Sequence, residues 1–157
     1  MPAEIERKFL VTSDAWREGA GAPVSIRQAY LAVTDRASVR VRIRNADAAF
    51  LTVKSAGAEL FRTEVEVAVP VAEAEELLAL RQGSVIAKRR YRVPLGGLVW
   101  EVDVFEGDNA GLVLAEVELP DADHPVEPPS WVGREVTGDA RYYNASLATD
   151  PVGTAGG

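Results

Sequence analysis

A chain of 157 residues can bury a sizeable core within one domain, and 47% apolar with 26% charged residues is ordinary for a globular protein. Its net charge of −7 argues against a general nucleic-acid binder, which needs a basic footprint, but not against a small polyanion held in a locally basic cavity. With no cysteine there is no disulfide framework, thiol nucleophile or thiolate metal site.

In chain order, Glu4-Ile5-Glu6-Arg7-Lys8-Phe9 reads as a strand. Side chains alternate along a strand, so Glu4, Glu6 and Lys8 share one face and Ile5 and Phe9 the other. A polar link with a helical turn near Asp14 to Arg17 leads to a second strand over residues 24–33. Residues 38–44 alternate strictly, with Arg40, Arg42 and Arg44 opposite Val39, Val41 and Ile43. A turn at Asn45 to Asp47 makes a hairpin with residues 50–54, which end on Lys54. Residues 60–69 carry Arg62, Glu64 and Glu66 opposite Val65 and Val67. Residues 72–80 are expected to be helical, entered through Pro70, with Glu73, Glu75 and Glu76 exposed. A strand over 85–93 then places Lys88, Arg90 and Arg92 on one face. Beyond a Gly96-Gly97 turn, residues 98–105 carry Glu101 and Asp103, and residues 112–119 carry Glu116 and Glu118. The proline-rich stretch 120–130 reads as a loop, and Asp139 as the N-cap of a last helix over 140–148. Residues 1–149 are expected to form one domain, with 150–157 a disordered tail.

The recurrence carries the reading. Six strands each hold a like-charged pair two residues apart: Glu4/Glu6, Arg40/Arg42, Glu64/Glu66, Lys88/Arg90, Glu101/Asp103 and Glu116/Glu118. A wet sheet face would mix in Thr, Ser and Gln and avoid clustering like charges. A closed barrel of about eight antiparallel strands would turn this face inward, around one small ligand, and its apolar face outward against helices. Charges in such a place need partners. The carboxylates ask for cations, the lysines and arginines for an anion, and a phosphate chain with divalent metal satisfies both.

These motifs, with Phe50-Leu51-Thr52-Val53-Lys54 and Asp139-Ala140-Arg141-Tyr142-Tyr143-Asn144, resemble in kind and order those of the CYTH superfamily, the triphosphate tunnel metalloenzymes. The similarity is closest to compact bacterial members that hydrolyse inorganic tripolyphosphate. It implies a mainly β, eight-stranded tunnel with a charged interior, and a C-terminal helix plugging one end. The implied reaction is metal-dependent conversion of tripolyphosphate to pyrophosphate and phosphate. The alternatives on the same tunnel are a class IV-type adenylyl cyclase, a nucleoside or thiamine triphosphatase, or a non-catalytic polyphosphate-binding module.

By that resemblance Glu4, Glu6, Glu64, Glu66, Asp103, Glu116 and Glu118 supply metal ligands or their supports. Lys8, Arg40, Arg42, Lys54, Arg62, Lys88 and Arg90 grip the phosphates, and Glu4, Glu6 and Lys8 stand at the reacting centre. Oxygen-only ligands select Mg²⁺ or Mn²⁺. The expected partner is a small-molecule triphosphate, with no nucleic acid and no membrane, acting on a monomer or homodimer. Ala140 departs from the lysine of many relatives, which leaves its role open, as are those of Arg44 and Arg92 at expected strand ends and of Tyr143 or Asn144 near a tunnel mouth. His124 reads as a loop residue, and Trp16, Trp100 and Trp131 as packing residues. No apolar run is long enough to cross a bilayer, and the acidic N-terminus is unlike a signal peptide, so a cytoplasmic protein is expected.

Overall fold

Segments rich in β-branched and aromatic residues, several of them alternating with charged ones, form nine antiparallel strands in the computed structural model, which describes residues 5–56 and 63–151. In chain order these are β1 (Glu6–Val11), β2 (Val24–Val33), β3 (Ala37–Arg44), β4 (Ala48–Ser55), β5 (Glu64–Val69), helix α1 (Val71–Leu78), β6 (Gln82–Leu95), β7 (Leu98–Glu106), β8 (Val113–Glu118), β9 (Val132–Glu135) and helix α2 (Asn144–Thr149). The strands lie in one sheet in the order β5-β4-β3-β2-β6-β7-β8-β1-β9. Hairpins join β3 to β4 and β6 to β7. Asn45 and Ala46 turn the first at φ 51° and 57°, and Gly96 and Gly97 turn the second at φ 63° and 81°. Positive φ at both central residues gives turns whose twist matches that of the strands they join.

The expected mainly β antiparallel architecture is borne out, but closure into an eight-stranded barrel is not. The strands number nine, and among the described residues the ladder has two ends, β5 and β9. Closure would need β5 against β1, but β1 pairs with β8 along one edge, and β9 occupies the other at Phe9 and Val11. The sheet is nonetheless strongly curled, since residues of β5 and β1 line one cavity.

Each face of the curled sheet has its own packing. Outside, Phe9, Trp100, Val102 and Val117 pack with Trp16 and Trp131 from the connections. Also outside, Ala74 and Leu78 of α1 cover Ala29, Val41, Ile43 and Ala49. Arg27 on β2 reaches Glu75 of α1, so one of the helix acids expected to face only solvent clamps α1 to the sheet. The inner face is divided: its charged half lines the cavity, while Tyr30, Ile86, Phe105 and Leu114 form an apolar half closed by Tyr142, Leu147 and Ala148. The helix expected over 140–148 is interrupted. Asp139 caps a 3₁₀ turn, Ala140–Tyr142, by accepting from the Arg141 amide, and Tyr143 is extended before α2 begins.

Candidate active site

Strand parity brings the charged groups together. Along β1, Glu6 and Lys8 face the cavity, and their register partners on β8 are Glu118 and Glu116. Glu116 in turn sits opposite Glu101 of β7. Across the curl, Lys54 of β4 pairs in register with Glu64 of β5, and Thr52 with Glu66. Among the described residues, six carboxylates (Glu6, Glu64, Glu66, Glu101, Glu116, Glu118) and five basic groups (Lys8, Arg40, Arg42, Lys54, Arg90) line a cavity of about 660 Å³. Glu4 and Arg62 lie outside the described residues.

Lys88 and Asp103 lie beneath this lining, not in it. Lys88 is fully buried, and its Nζ lies 2.7 Å from the Asp103 carboxylate. Arg90 grips the same carboxylate with two hydrogen bonds of 2.8 and 2.9 Å. Both Asp103 oxygens are therefore engaged by bases. Burial alone would raise the Asp103 pKa, but the positive charge of Lys88 and the bonds from Arg90 outweigh it and hold the carboxyl well below the ordinary range. Burial lowers the Lys88 pKa despite Asp103. Glu116 is also held ionised below its usual range: burial opposes this, and the charge of Lys8, 3.7 Å away, overcomes it.

Of the bases above this layer, Arg40 keeps a donor to spare. The buried Nε of Arg40 has no hydrogen-bond partner among the described residues, although another of its nitrogens reaches Thr52 at 3.3 Å. A buried donor without an acceptor is costly unless a ligand supplies one. Arg42 is held by Gln28, and burial with the nearby charges of Arg40 and Arg90 weakens its hold on its proton. Both features fit an anion.

The segment between the 3₁₀ turn and α2 completes the wall. The Tyr142 carbonyl accepts from Lys8 Nζ at 3.1 Å, and Asn144 Oδ1 accepts from Lys88 Nζ at 3.0 Å. The Tyr143 ring lies 5.9 Å from Lys8 Nζ. Sequence reasoning read Tyr142 and Tyr143 as anchors of the last helix, left open whether Tyr143 or Asn144 stands near a tunnel mouth, and missed Gln28. The available signal was parity, since Gln28 lies midway between Ile26 and Tyr30 on the inner face of β2. Arg44 and Arg92 are exposed and do not line the cavity; Arg44 stacks on Phe50, and Arg92 stands within β6, not at its end. Ala140 is exposed in the 3₁₀ turn.

A cation fits the chemistry of this lining. The acids are all-oxygen donors gathered on facing strands of one cavity, the preference of hard divalent ions. Among the described residues no three of them form a preassembled cluster.

A curled antiparallel sheet that gathers acidic and basic side chains around one cavity defines the class to which this protein belongs. Within that class, the chain belongs to the CYTH family: the CYTH domain matches residues 2–149. It is 47% identical over 152 residues to a protein of Acetivibrio thermocellus named inorganic triphosphatase, covering 96% of each chain. It is 41% identical over 149 residues to an inorganic triphosphatase of Nitrosomonas europaea, covering 92% of this chain and 96% of that one. A solved structure of an inorganic triphosphatase superposes with a TM-score of 0.73 at 38% identity, covering 96% of this chain and 98% of the other.

Proposed function

We propose that this protein hydrolyses inorganic tripolyphosphate to pyrophosphate and phosphate with Mg²⁺ or Mn²⁺. The observation that carries the reading is the cavity, which gathers six carboxylates from β1, β5, β7 and β8 and five bases from β1, β3, β4 and β6 among the described residues. The relatives named inorganic triphosphatase support it.

In this reading Glu6, Glu64, Glu66, Glu116 and Glu118 hold the divalent ion, with Glu4 joining them on the strength of its motif. The ion, when bound, neutralises phosphate oxygens and acidifies the attacking water. Asp103 serves by fixing Lys88 and Arg90, whose charges reach the cavity from below and from its wall. Lys8, Arg40, Arg42, Lys54 and Arg90 hold the phosphate chain in line, and Arg62 adds to the grip by its place in the sequence pattern. The water oxygen bonds to the terminal phosphorus, and the anhydride P–O bond breaks toward pyrophosphate. The water proton passes to a cavity carboxylate such as Glu6. Lys8 and its neighbours neutralise the charge that gathers on the leaving oxygens. Such a transfer needs positioning and charge neutralisation more than covalent chemistry. The curled sheet acts as the tunnel, its β5 acids and its β1 and β8 acids approaching one substrate from opposite sides.

Two substitutions test the assignment. Glu6→Gln keeps the side-chain shape and should cut turnover by at least about a hundredfold, roughly 3 kcal/mol of transition-state stabilisation, in a protein that still melts cooperatively. Lys8→Ala should also remain folded and lose activity, and excess metal should not restore it. Near-wild-type rates in both folded variants would return this strand face to ordinary surface.

A further inference from the structure

Asn144 and Gln28 form a relay whose amide orientations are fixed by their neighbours. Arg42 Nε donates to Gln28 Oε1 at 2.6 Å, Gln28 Nε2 donates to Asn144 Oδ1 at 3.1 Å, and Lys88 Nζ donates to the same oxygen at 3.0 Å. A guanidinium and an ammonium can only donate, so each amide must turn its oxygen toward the base it meets. Gln28 is wholly buried, and both ends of its amide are engaged. Asn144 is different: it lines the cavity, its oxygen accepts twice, and its Nδ2 donors have no partner among the described residues. The extended Tyr143 sets this arrangement, releasing Asn144 from the 3₁₀ turn and bringing the Tyr142 carbonyl onto Lys8.

We propose that Asn144 is a substrate-binding residue, its Nδ2 donating to a phosphate oxygen at the α2 end of the cavity, and that Gln28 is a positioning residue that orients Asn144 and Arg42. This rests on the triphosphate reading of the site. It adds neutral amide donors to a grip otherwise made of charges, and it makes docking of α2 part of substrate binding.

Tripolyphosphate affinity is to be measured by calorimetry in EDTA, together with the kcat and KM of the magnesium-loaded protein and its melting temperature. Asn144→Ala should weaken binding about tenfold or more and raise KM further than it lowers kcat. Asn144→Asp keeps both acceptor bonds, to Lys88 and to Gln28, but loses the donors and places a negative charge beside the phosphates. It should melt near the wild type and bind at least as poorly as the alanine variant. Gln28→Met should raise KM by a smaller factor. If either folded variant at this position binds tripolyphosphate as the wild type does, the Nδ2 donors do no work there, and that result overturns the proposal. A wild type that binds tripolyphosphate without hydrolysing it would sink the triphosphatase reading, while the binding comparison would still decide this one. A wild type that neither binds tripolyphosphate in EDTA nor hydrolyses it with magnesium would overturn both, and one that hydrolyses it with magnesium alone leaves the KM comparison to decide.

Discussion

Asp103 is the residue on which the basic half of the site depends. It lies 2% exposed, between Lys88 at 2.7 Å and the two-pronged grip of Arg90, and without it two buried positive charges would face each other and Arg42. Breaking a buried ion pair from one side costs about 3–5 kcal/mol, because the remaining charge is stranded. Asp103→Asn should therefore lower stability at neutral pH by about that amount, read by denaturant melts. The sign of the pH dependence follows from the depressed folded pKa of Asp103. Its contribution is fully present above the unfolded value near about 4 and is lost as pH falls through the folded value. The gap between wild type and variant should thus narrow below about pH 4, and a gap unchanged down to pH 2 would contradict the assignment. At this scale the sequence was informative about charge and silent about depth. Alternation put Asp103 and Glu101 on one face, but only the packing of β6 against β7 and β2 sinks the first beneath the cavity and leaves the second at its wall.

Among the elements, α2 is the one that joins packing to the site. Leu147 and Ala148 seal the apolar half of the inner face, and Asn144 at the helix start reaches Lys88 and Gln28. The fit to β6 is tight at Gly83, whose φ of +72° suits glycine, and where an added Cβ would come within 2.7 Å of the Ala148 carbonyl oxygen. Gly83→Ala should strain the start of β6 and push α2 outward, destabilising the fold by about 1–3 kcal/mol. Because α2 carries Asn144, the KM for tripolyphosphate should rise in the same variant. A wild-type melting curve and KM would show that α2 tolerates the displacement. Strands with strict alternation, such as β3, were legible to within a residue or two. The short strand β9 was not: Val132–Glu135 has too few residues to show a period, and it forms by adding to the β1 edge. The break at Tyr143 was equally hidden, because Asp139 caps its turn as expected while the chain then leaves helical geometry to place Tyr142 and Asn144 against two lysines.

For the molecule as a whole, the charge pattern identified one enclosed face carrying both signs, and the sheet curls to make it. Closure was not legible, since alternation tells which side of a strand faces inward but not which strands meet at the seam. β9 takes part of the β1 edge, and the ladder ends at β5. No helix among the described residues is long and apolar enough to cross a membrane. The central claim is that this cavity holds a triphosphate together with a divalent cation, and phosphate release tests it most directly. Tripolyphosphate and pyrophosphate should be compared at equal concentration, each with Mg²⁺, with Mn²⁺ and with EDTA. The account predicts release from tripolyphosphate with either metal, almost none in EDTA, and far slower release from pyrophosphate, which is too short to engage the full set of bases. Full turnover in EDTA, or equal rates on the two substrates, would contradict it.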